Sequence, residues 1–267
     1  MERYDEALAD FNRAIEIRPT NTWPITNRGE TYRAMERYDE ALADFNRAIE
    51  IRPTSTWAIT NRGETYRAME RYDEALADFN RAIEIDPEDV WAIANRAGTY
   101  RAMERYDEAL ADFNRAIEID PTDDWIIANR GETYRDMERY DEALADFNRA
   151  IEIDLSSSWA IGNRGQTYHA MERYDEALAD FNRAIEIAPE YVWAITRRAE
   201  TYRAMERYDE ALADFNRAIE IDPEYIGAIT HRAETYRDME RYDEALADFN
   251  RAIEIDLSSS WAIGNRG

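Results

Sequence analysis

The chain has 267 residues, a net charge of −25 and no cysteine. The lack of cysteine excludes a disulfide framework and thiolate metal sites. No apolar run is long enough to span a bilayer, and no secretory signal precedes the first structured segment. We therefore expect a cytoplasmic protein that makes no contact with a membrane.

A 17-residue segment, MERYDEALADFNRAIEI, recurs with a constant step of 34 residues. Its eight copies begin at Met1, Met35, Met69, Met103, Met137, Met171, Met205 and Met239. A fixed period of this length is typical of stacked repeats, in which each unit buries its apolar face only against its neighbours.

The negative charge belongs almost entirely to the repeated segment. Each copy carries five acidic residues and two arginines, so eight copies at −3 account for −24 of the net −25. A solvated charged face mainly confers solubility. The acidic composition therefore does not indicate a basic partner.

The repeated segment has the apolar pattern of an amphipathic helix. In the second copy the apolar positions recur at helical spacing, namely Tyr38, Ala41, Leu42, Phe45, Ala48 and Ile49. Pro53 is predicted to end this helix, because proline lacks an N–H group and disfavours helix in the residue before it. Leu155 and Leu257 replace that proline in two copies, where we expect less sharply defined turns.

A second helix is predicted after each of these turns. Short polar stretches such as Thr54-Ser55-Thr56 precede it and supply side chains that accept backbone N–H bonds at a helix start. In the second copy it runs from about Trp57 to Met69, with small or apolar residues at Ile59, Gly63 and Tyr66.

The 34-residue unit resembles the tetratricopeptide repeat when Thr56 is counted as position 1. The matching residues are Gly63 at position 8, Tyr66 at 11, Ala75 at 20, Phe79 at 24, Ala82 at 27 and Pro87 at 32. This resemblance covers the whole chain and implies an all-α fold, an α-solenoid of antiparallel helix pairs wound into a right-handed superhelix. It further implies that the first helix of each pair lines a concave groove and the second forms the outer surface.

Three positions depart from the family pattern. Position 4 is Ile59 rather than an aromatic residue or leucine, and position 15 is Glu70 rather than glycine, so the turn within the repeat lacks a residue that favours positive φ. Position 7 is arginine in every unit and points toward the second helix. We predict that arginines of the Arg62 type pair with aspartates of the Asp78 type.

The predicted organisation is a single repeat array over residues 1–267. Residues 1–21 form a second-helix half repeat, residues 22–259 form seven 34-residue repeats, and residues 260–267 form part of a first helix. Both ends fall inside a repeat and lack a polar capping unit.

Position 6 of the predicted groove is dominated by asparagine. An amide offers both a donor and an acceptor, the pair needed to hold the backbone of an extended peptide. This row of asparagines resembles the asparagine ladders in the repeats of O-linked N-acetylglucosamine transferase and of kinesin light chains. A solvated or helix-capping role is the alternative for any one copy. The position-6 residues are Asn27, Asn61, Asn95, Asn129, Asn163 and Asn265, with Arg197 and His231 in the two other units.

Position 2 forms a tryptophan row interrupted by Gly227. The row consists of Trp23, Trp57, Trp91, Trp125, Trp159, Trp193 and Trp261. Two interpretations are evenly matched. The rings hold apolar or arginine side chains of a ligand, or they fill the seam between repeats in place of the missing position-4 aromatic.

Positions 9 and 12 carry acidic and basic residues at i, i+3 spacing, as in Glu64 and Arg67. Intrahelical ion pairs are the default expectation, and a ligand could redirect these groups. We include Glu64, Arg67, Arg101 and Arg135 among the candidate peptide-binding residues. The carboxylate-clamp subfamily is excluded, because its basic residues at positions 2 and 5 are absent here.

The sequence offers no support for catalysis, a cofactor or a metal site. The two histidines, His169 and His231, lie in separate units, and no nucleophile elbow or phosphate loop occurs. The charge argues against a nucleic-acid partner.

The favoured function is a protein-interaction scaffold that binds an extended peptide or partner segment. The alternatives are an array that associates head to tail through its uncapped ends, and the sensor region of a larger signalling protein.

Overall fold

The computed structural model describes the backbone of residues 2–264 and the side chains of residues 3–257. Within this range the chain forms fifteen α-helices and no strand. None of these helices is both long and apolar enough to cross a membrane. The helices are α1 (Glu2–Ile17), α2 (Thr22–Ala34), α3 (Tyr38–Ile51), α4 (Thr56–Ala68), α5 (Tyr72–Ile85), α6 (Val90–Ala102), α7 (Tyr106–Ile119), α8 (Asp124–Asp136), α9 (Tyr140–Ile153), α10 (Ser158–Ala170), α11 (Tyr174–Ile187), α12 (Val192–Ala204), α13 (Tyr208–Ile221), α14 (Ile226–Asp238) and α15 (Tyr242–Gly264).

The chain divides into two compact units, residues 1–133 and residues 134–267. In unit 1 each helix from α1 to α6 packs on the next one in the chain, and in unit 2 each helix from α9 to α14 does so; first helices of successive repeats also touch, as α4 touches α6 and α12 touches α14. This is the arrangement of a helical repeat stack. The predicted all-α solenoid of helix pairs is confirmed.

The core of each repeat is built from the predicted apolar stripe. In the second copy Ala41, Phe45 and Ala48 are fully buried, and Leu42 and Ile49 are nearly so. The position-4 isoleucines, such as Ile59, are also fully buried against them. Small residues at positions 20 and 27 let the helices approach closely around the phenylalanine ring, as dense interior packing requires.

The turn within each repeat keeps the backbone geometry that a glycine would favour, although glutamate occupies it. Glu36 has φ of 58°, and the six equivalent glutamates have φ of 58° or 59°. The N–H of Glu36 donates to the carbonyl of Arg33, and that of Arg37 donates to the carbonyl of Tyr32. These two bonds form a Schellman motif, which satisfies carbonyl groups at the helix end. The Arg37 guanidinium also lies 4.6 Å from the centre of the Tyr32 ring.

The turn at Leu155 is as well defined as the proline-containing turns, so the expectation of a looser turn is wrong. α9 ends at Ile153, and Asp154 has φ −121° and ψ 99°, close to the −123° and 94° of Asp120 before Pro121. The Leu155 carbonyl accepts a hydrogen bond of 2.8 Å from Arg183. Equivalent arginines bind the proline carbonyls, as Arg81 binds Pro53. Contact with the next repeat therefore holds this turn whether or not it contains proline.

The segment after the last copy differs from its internal duplicate. Residues 135–165 and 237–267 have the same sequence, yet α15 runs without a break from Tyr242 to Gly264. The turn predicted at Leu257 is therefore absent, and residues 260–264 continue α15 instead of starting a separate helix. Residues 265–267, including the candidate Asn265, lie outside the described residues, as does the side chain of Trp261.

An Arg–Asp ladder joins the two helices in six of the repeats that the structure describes, which confirms the predicted pairing there. In the second copy Nε of Arg62 donates to Oδ2 of Asp78 at 2.7 Å, and Nη2 donates to Oδ1 at 2.5 Å. Nη1 of Arg62 reaches back to Asn46 of the preceding second helix at 2.6 Å. The described ladder consists of Arg28–Asp44, Arg62–Asp78, Arg96–Asp112, Arg164–Asp180, Arg198–Asp214 and Arg232–Asp248.

Candidate functional site

The first helices of unit 1 enclose two neighbouring pockets. A pocket of about 490 Å³ is lined by first-helix residues at positions 2, 6, 9, 12 and 13, namely Arg33, Glu64, Arg67, Ala68, Trp91, Asn95 and Trp125. A pocket of about 400 Å³ shares Arg67, Ala68 and Trp125 and adds Gly98, Arg101, Ala102 and Asn129, with Glu70 and Tyr72 at its edge. The residues around both pockets therefore coincide with the predicted groove positions.

The tryptophans of unit 1 differ in their exposure and in their contacts with neighbouring repeats. Trp91 and Trp125 remain 48% and 36% exposed, and their ring centres are 5.5 Å apart at an interplanar angle of 32°. Their faces are therefore available on the surface of successive repeats. The indole N–H of Trp57, in contrast, donates to Glu30 of the preceding repeat at 2.9 Å. Burial raises the pKa of Glu30, and this hydrogen bond opposes the shift.

In unit 2 the tryptophans are partly buried in contacts between repeats. Trp193 stacks on Tyr191 with ring centres 5.6 Å apart and meets the edge of Phe181. A Cβ atom on Gly162 would lie 2.9 Å from the Trp193 ring, so only glycine leaves room for the indole there. Trp159 is also partly buried.

The position-6 asparagines direct their amide nitrogens into their own helices. Each of the five described asparagines donates from Nδ2 to the carbonyl of the tryptophan four residues earlier, over 2.8 to 3.0 Å. Three of them are buried, Asn61, Asn95 and Asn163, whereas Asn27 and Asn129 are partly exposed. This bond uses one of the two N–H groups of each amide, so the donors that the sequence suggested for a ligand backbone are only partly used. Oδ1 of Asn163 accepts a bond from Arg135.

An Arg–Glu ladder links position 12 of one repeat with position 9 of the next. It pairs Arg33 with Glu64, Arg101 with Glu132, and Arg203 with Glu234. The default expectation of intrahelical pairs is therefore wrong for Glu64 and Arg67, because Glu64 binds an arginine of the preceding repeat. The neighbouring helix brings the two groups together in a partly buried position, where a charge-assisted bond is stronger than on an exposed helix face.

The Arg–Glu ladder is interrupted where position 9 or position 12 changes. Gly98 replaces the glutamate that would face Arg67, and Nη1 of Arg67 is 3.4 Å from the Asn95 carbonyl oxygen. Gln166 replaces the glutamate that would face Arg135, and Arg135 donates to Oδ1 of Asn163 at 2.7 Å.

In unit 2 the Arg–Glu ladder includes a cluster of acidic residues and arginines around His231. His231 lies 3.2 Å from Glu200 and 3.3 Å from Glu234, and Arg197 pairs with Glu200 at 2.8 Å. Arg203 pairs with Glu234 and also with Asp238 at 2.8 Å. Among the described residues no three His, Asp or Glu side chains are arranged to hold a metal ion. The cluster is a network of mutually paired charges.

Sequence comparison agrees with the repeat geometry along the whole array. Sequence models of the tetratricopeptide repeat match residues 1–54, 21–88, 54–122, 88–156, 125–190, 156–224 and 202–262. The chain belongs to the tetratricopeptide repeat family. A search of curated proteins gives no match to this sequence.

Solved structures of other tetratricopeptide repeat proteins share the fold. A chain of the APC/C hetero-tetramer Cut9–Hcn1 aligns with a TM-score of 0.74 at 14% identity, over 94% of this chain and 50% of that one. This array therefore spans half the length of that relative. A tetratricopeptide repeat protein from Parabacteroides merdae aligns with a TM-score of 0.71 at 21% identity, over 88% of this chain and 93% of that one. At these identities the similarity establishes the fold alone.

Membership in the tetratricopeptide repeat family carries a general function. Such repeats mediate contacts between proteins, and the fold is typically a non-enzymatic scaffold. A fold alone does not specify a ligand.

Proposed function

We propose that the first-helix surface binds an extended segment of a partner protein. The carrying observation is the pair of adjoining pockets in unit 1, which are lined by the residues predicted for the groove and flanked by the exposed rings of Trp91 and Trp125. Large aromatic faces beside a few polar groups are typical of peptide-binding surfaces. The pockets continue from one repeat to the next, which suits an elongated ligand.

The contribution of each candidate residue follows from its exposure. The faces of Trp23, Trp91 and Trp125 supply apolar contact area, because these residues are 58%, 48% and 36% exposed. Trp57 is 38% exposed, but its indole N–H is bonded to Glu30. The asparagines contribute through Oδ1 and through the second amide N–H, since one N–H donates within the helix. Arg67 and Arg101 supply charge beside the tryptophans. In unit 2 the corresponding surface is formed by Arg197, His231, Trp159 and Trp193, with Arg135 at its start.

Selection of random twelve-residue peptides on the immobilised array tests this proposal. Enriched peptides are expected to bind the Trp91→Ala, Trp125→Ala double variant at least about tenfold more weakly, because two exposed aromatic anchors are lost. Glu74→Gln on the outer helix is the matched control and should leave binding unchanged, because Glu74 lies in an exposed ion pair with Arg71. Peptides that bind the double variant as tightly as the parent array would contradict the proposal.

End-to-end association is a second candidate, favoured by the exposed apolar face of α15. Leu246 and Ile253 are 59% and 56% exposed, whereas Leu212 and Ile219 at the same repeat positions are 8% and 7% exposed. A further repeat packed on α15 would cover this face, and a second copy could supply one through a heterologous contact. Sedimentation velocity over a wide concentration range tests this candidate. A mass that stays monomeric at every concentration would exclude it.

Two expectations from the sequence accompany this function and stay predictions: a cytoplasmic location and a partner that is a protein rather than a nucleic acid.

A further inference from the structure

Arg67 differs from its neighbours in the Arg–Glu ladder of unit 1. Arg33 is paired with Glu64 and Arg101 is paired with Glu132. Arg67 has Gly98 in place of a glutamate, and no carboxylate among the described residues forms an ion pair with it. Its one hydrogen bond is the 3.4 Å contact with a backbone carbonyl, which is long for a bond of this type.

The guanidinium of Arg67 occupies the space that a side chain on α6 would fill. A Cβ atom built on Gly98 would lie 2.9 Å from Nη1 of Arg67. Burial lowers the pKa of Arg67, the nearby carboxylate of Glu64 opposes this shift, and the positive charges of Arg33 and Arg101 add to it. Arginine keeps its proton under all ordinary conditions. The pocket therefore holds a desolvated positive charge with no opposite charge paired to it, an arrangement that an anion would stabilise.

Asn95 provides a second unsatisfied group in the same pocket. Its side chain is 1% exposed, Nδ2 donates to the carbonyl of Trp91 at 2.9 Å, and Oδ1 has no hydrogen-bond partner within the protein. Buried polar atoms are nearly always hydrogen-bonded. A ligand that supplies both an N–H donor and an anionic group would satisfy Asn95 and Arg67 together.

The charge balance of the pocket favours a singly charged ligand group. Arg33 and Glu64 neutralise each other, which leaves the single charge of Arg67. A carboxylate matches one guanidinium through two parallel N–H···O bonds. The adjacent exposed rings of Trp91 and Trp125 offer an apolar surface for the methylene groups that carry such a carboxylate.

We propose that the pocket between α4, α6 and α8 binds the side-chain carboxylate of a glutamate in an extended partner segment, with Arg67 pairing the carboxylate and Oδ1 of Asn95 accepting a backbone N–H. This inference rests on the proposed peptide-binding function and specifies the ligand at one point of the surface. Substituting Gly98 by glutamate would supply the missing carboxylate from within the chain and displace the ligand.

The test uses N-acetyl-glutamate N-methylamide as the probe and N-acetyl-glutamine N-methylamide as its uncharged match. NMR spectra of the intact array report the Arg67 Nε–H, the Asn95 side-chain amide and the indole N–H groups. Saturable shifts at these three places are expected with the glutamate probe, and at least about tenfold weaker binding is expected with the glutamine probe.

Variants separate the pocket from the rest of the ladder. Gly98→Glu and Arg67→Gln should each weaken binding of the glutamate probe at least about tenfold. Arg203→Gln removes a position-12 arginine that is already paired in unit 2 and should leave the titration unchanged. Equal binding of both probes, no shift at Arg67, or tighter binding of inorganic phosphate than of the glutamate probe would each overturn the assignment.

The same experiments distinguish failure of this inference from failure of the proposed function. Selected peptides that bind through Trp91 and Trp125 but show no requirement for an acidic residue, with full binding to Gly98→Glu, would overturn the carboxylate assignment and leave the peptide surface intact. A glutamate probe that binds at Arg67 while no peptide is enriched would retain the carboxylate site and remove the peptide-binding function.

Discussion

The two ladders of arginine and carboxylate run through the same repeats but differ in regularity. The Arg–Asp ladder has the same residues in every copy, and its described members are all bidentate at 2.5 to 2.7 Å. The Arg–Glu ladder is broken at Gly98, at Gln166 and at His169. Where it is broken, an arginine binds an asparagine or a backbone carbonyl instead.

The difference indicates which ladder is needed for folding. Each Asp of the Arg–Asp ladder lies on the buried side of a second helix, so its partner is required to compensate a buried charge. In the Arg–Glu ladder the arginine side chains are 22 to 27% exposed, whereas Glu64 and Glu132 are nearly buried and Glu234 is 29% exposed. A repeat there folds with or without its ion pair, and an interruption leaves a polar group available for a ligand.

Breaking the Arg–Asp ladder is expected to have the largest effect on stability. Arg62→Ala leaves Asp78 as a buried charge and removes the bond to Asn46. Loss of one partner of a buried pair typically costs about 3 kcal/mol or more. Urea denaturation followed by circular dichroism should show this loss in the free energy of unfolding.

The control for this substitution is an ion pair on the outer surface. Glu74→Gln breaks the exposed pair with Arg71 and should leave the free energy of unfolding nearly unchanged, because solvent screens exposed ion pairs. Equal destabilisation by Arg62→Ala and Glu74→Gln would show that the Arg–Asp ladder has no special role.

Restoring the missing carboxylate of the Arg–Glu ladder is expected to raise the free energy of unfolding, by less than Arg62→Ala lowers it. Gly98→Glu places a carboxylate beside Arg67 and also replaces glycine inside a helix, so we expect stabilisation of about 1 to 2 kcal/mol. Gly98→Ala separates the two contributions, because it changes the backbone preference and adds no charge. Arg67 must move slightly in both variants, since its Nη1 is 2.9 Å from the new Cβ. If alanine stabilises as much as glutamate, the ladder bond contributes nothing.

The sequence predicted the Arg–Asp ladder but not the Arg–Glu ladder, for a geometric reason. Arg62 and Asp78 lie on the facing sides of two helices joined by a short turn, so the helical period alone brings them together. The pairing of Arg33 with Glu64 depends on how closely one repeat approaches the next. The distance between neighbouring repeats cannot be read from residue spacing within one helix. The i, i+3 rule therefore predicted the wrong partner for Glu64.

The ends of α9 and α15 show a second limit of prediction from sequence. Both helices are followed by the same residues, yet α9 ends at Ile153 and α15 continues to Gly264. After α9 the chain turns where Arg183 of the next repeat binds the Leu155 carbonyl. Among the described residues no helix follows α15 to supply an equivalent arginine. Tertiary contact, rather than local sequence, ends the helix.

The interruption at His169 is expected to give the smallest effect, visible only in the pH dependence of stability. His169 occupies position 12, where an arginine would face Glu200. Nδ1 of His169 lies 2.9 Å from the Thr201 hydroxyl, which itself donates to the Arg197 carbonyl at 2.8 Å. Nδ1 must therefore carry the proton and donate to Thr201. Burial lowers the pKa of His169, with Glu200 opposing this shift and Arg197 adding to it.

The pKa of His169 is lower in the folded array than in the unfolded chain, where it is about 6.5. At a pH above this unfolded value, neutral His169 contributes its full stabilisation to the fold. The contribution is lost as the pH falls through the folded pKa. Lowering the pH from about 7.5 to about 5.5 should therefore destabilise the parent array by about 0.5 kcal/mol more than the His169→Gln variant. Urea unfolding of both proteins at the two pH values measures the difference, since all other ionisable groups are common to both. An identical pH dependence would mean that His169 is as easily protonated in the folded array as in the unfolded chain.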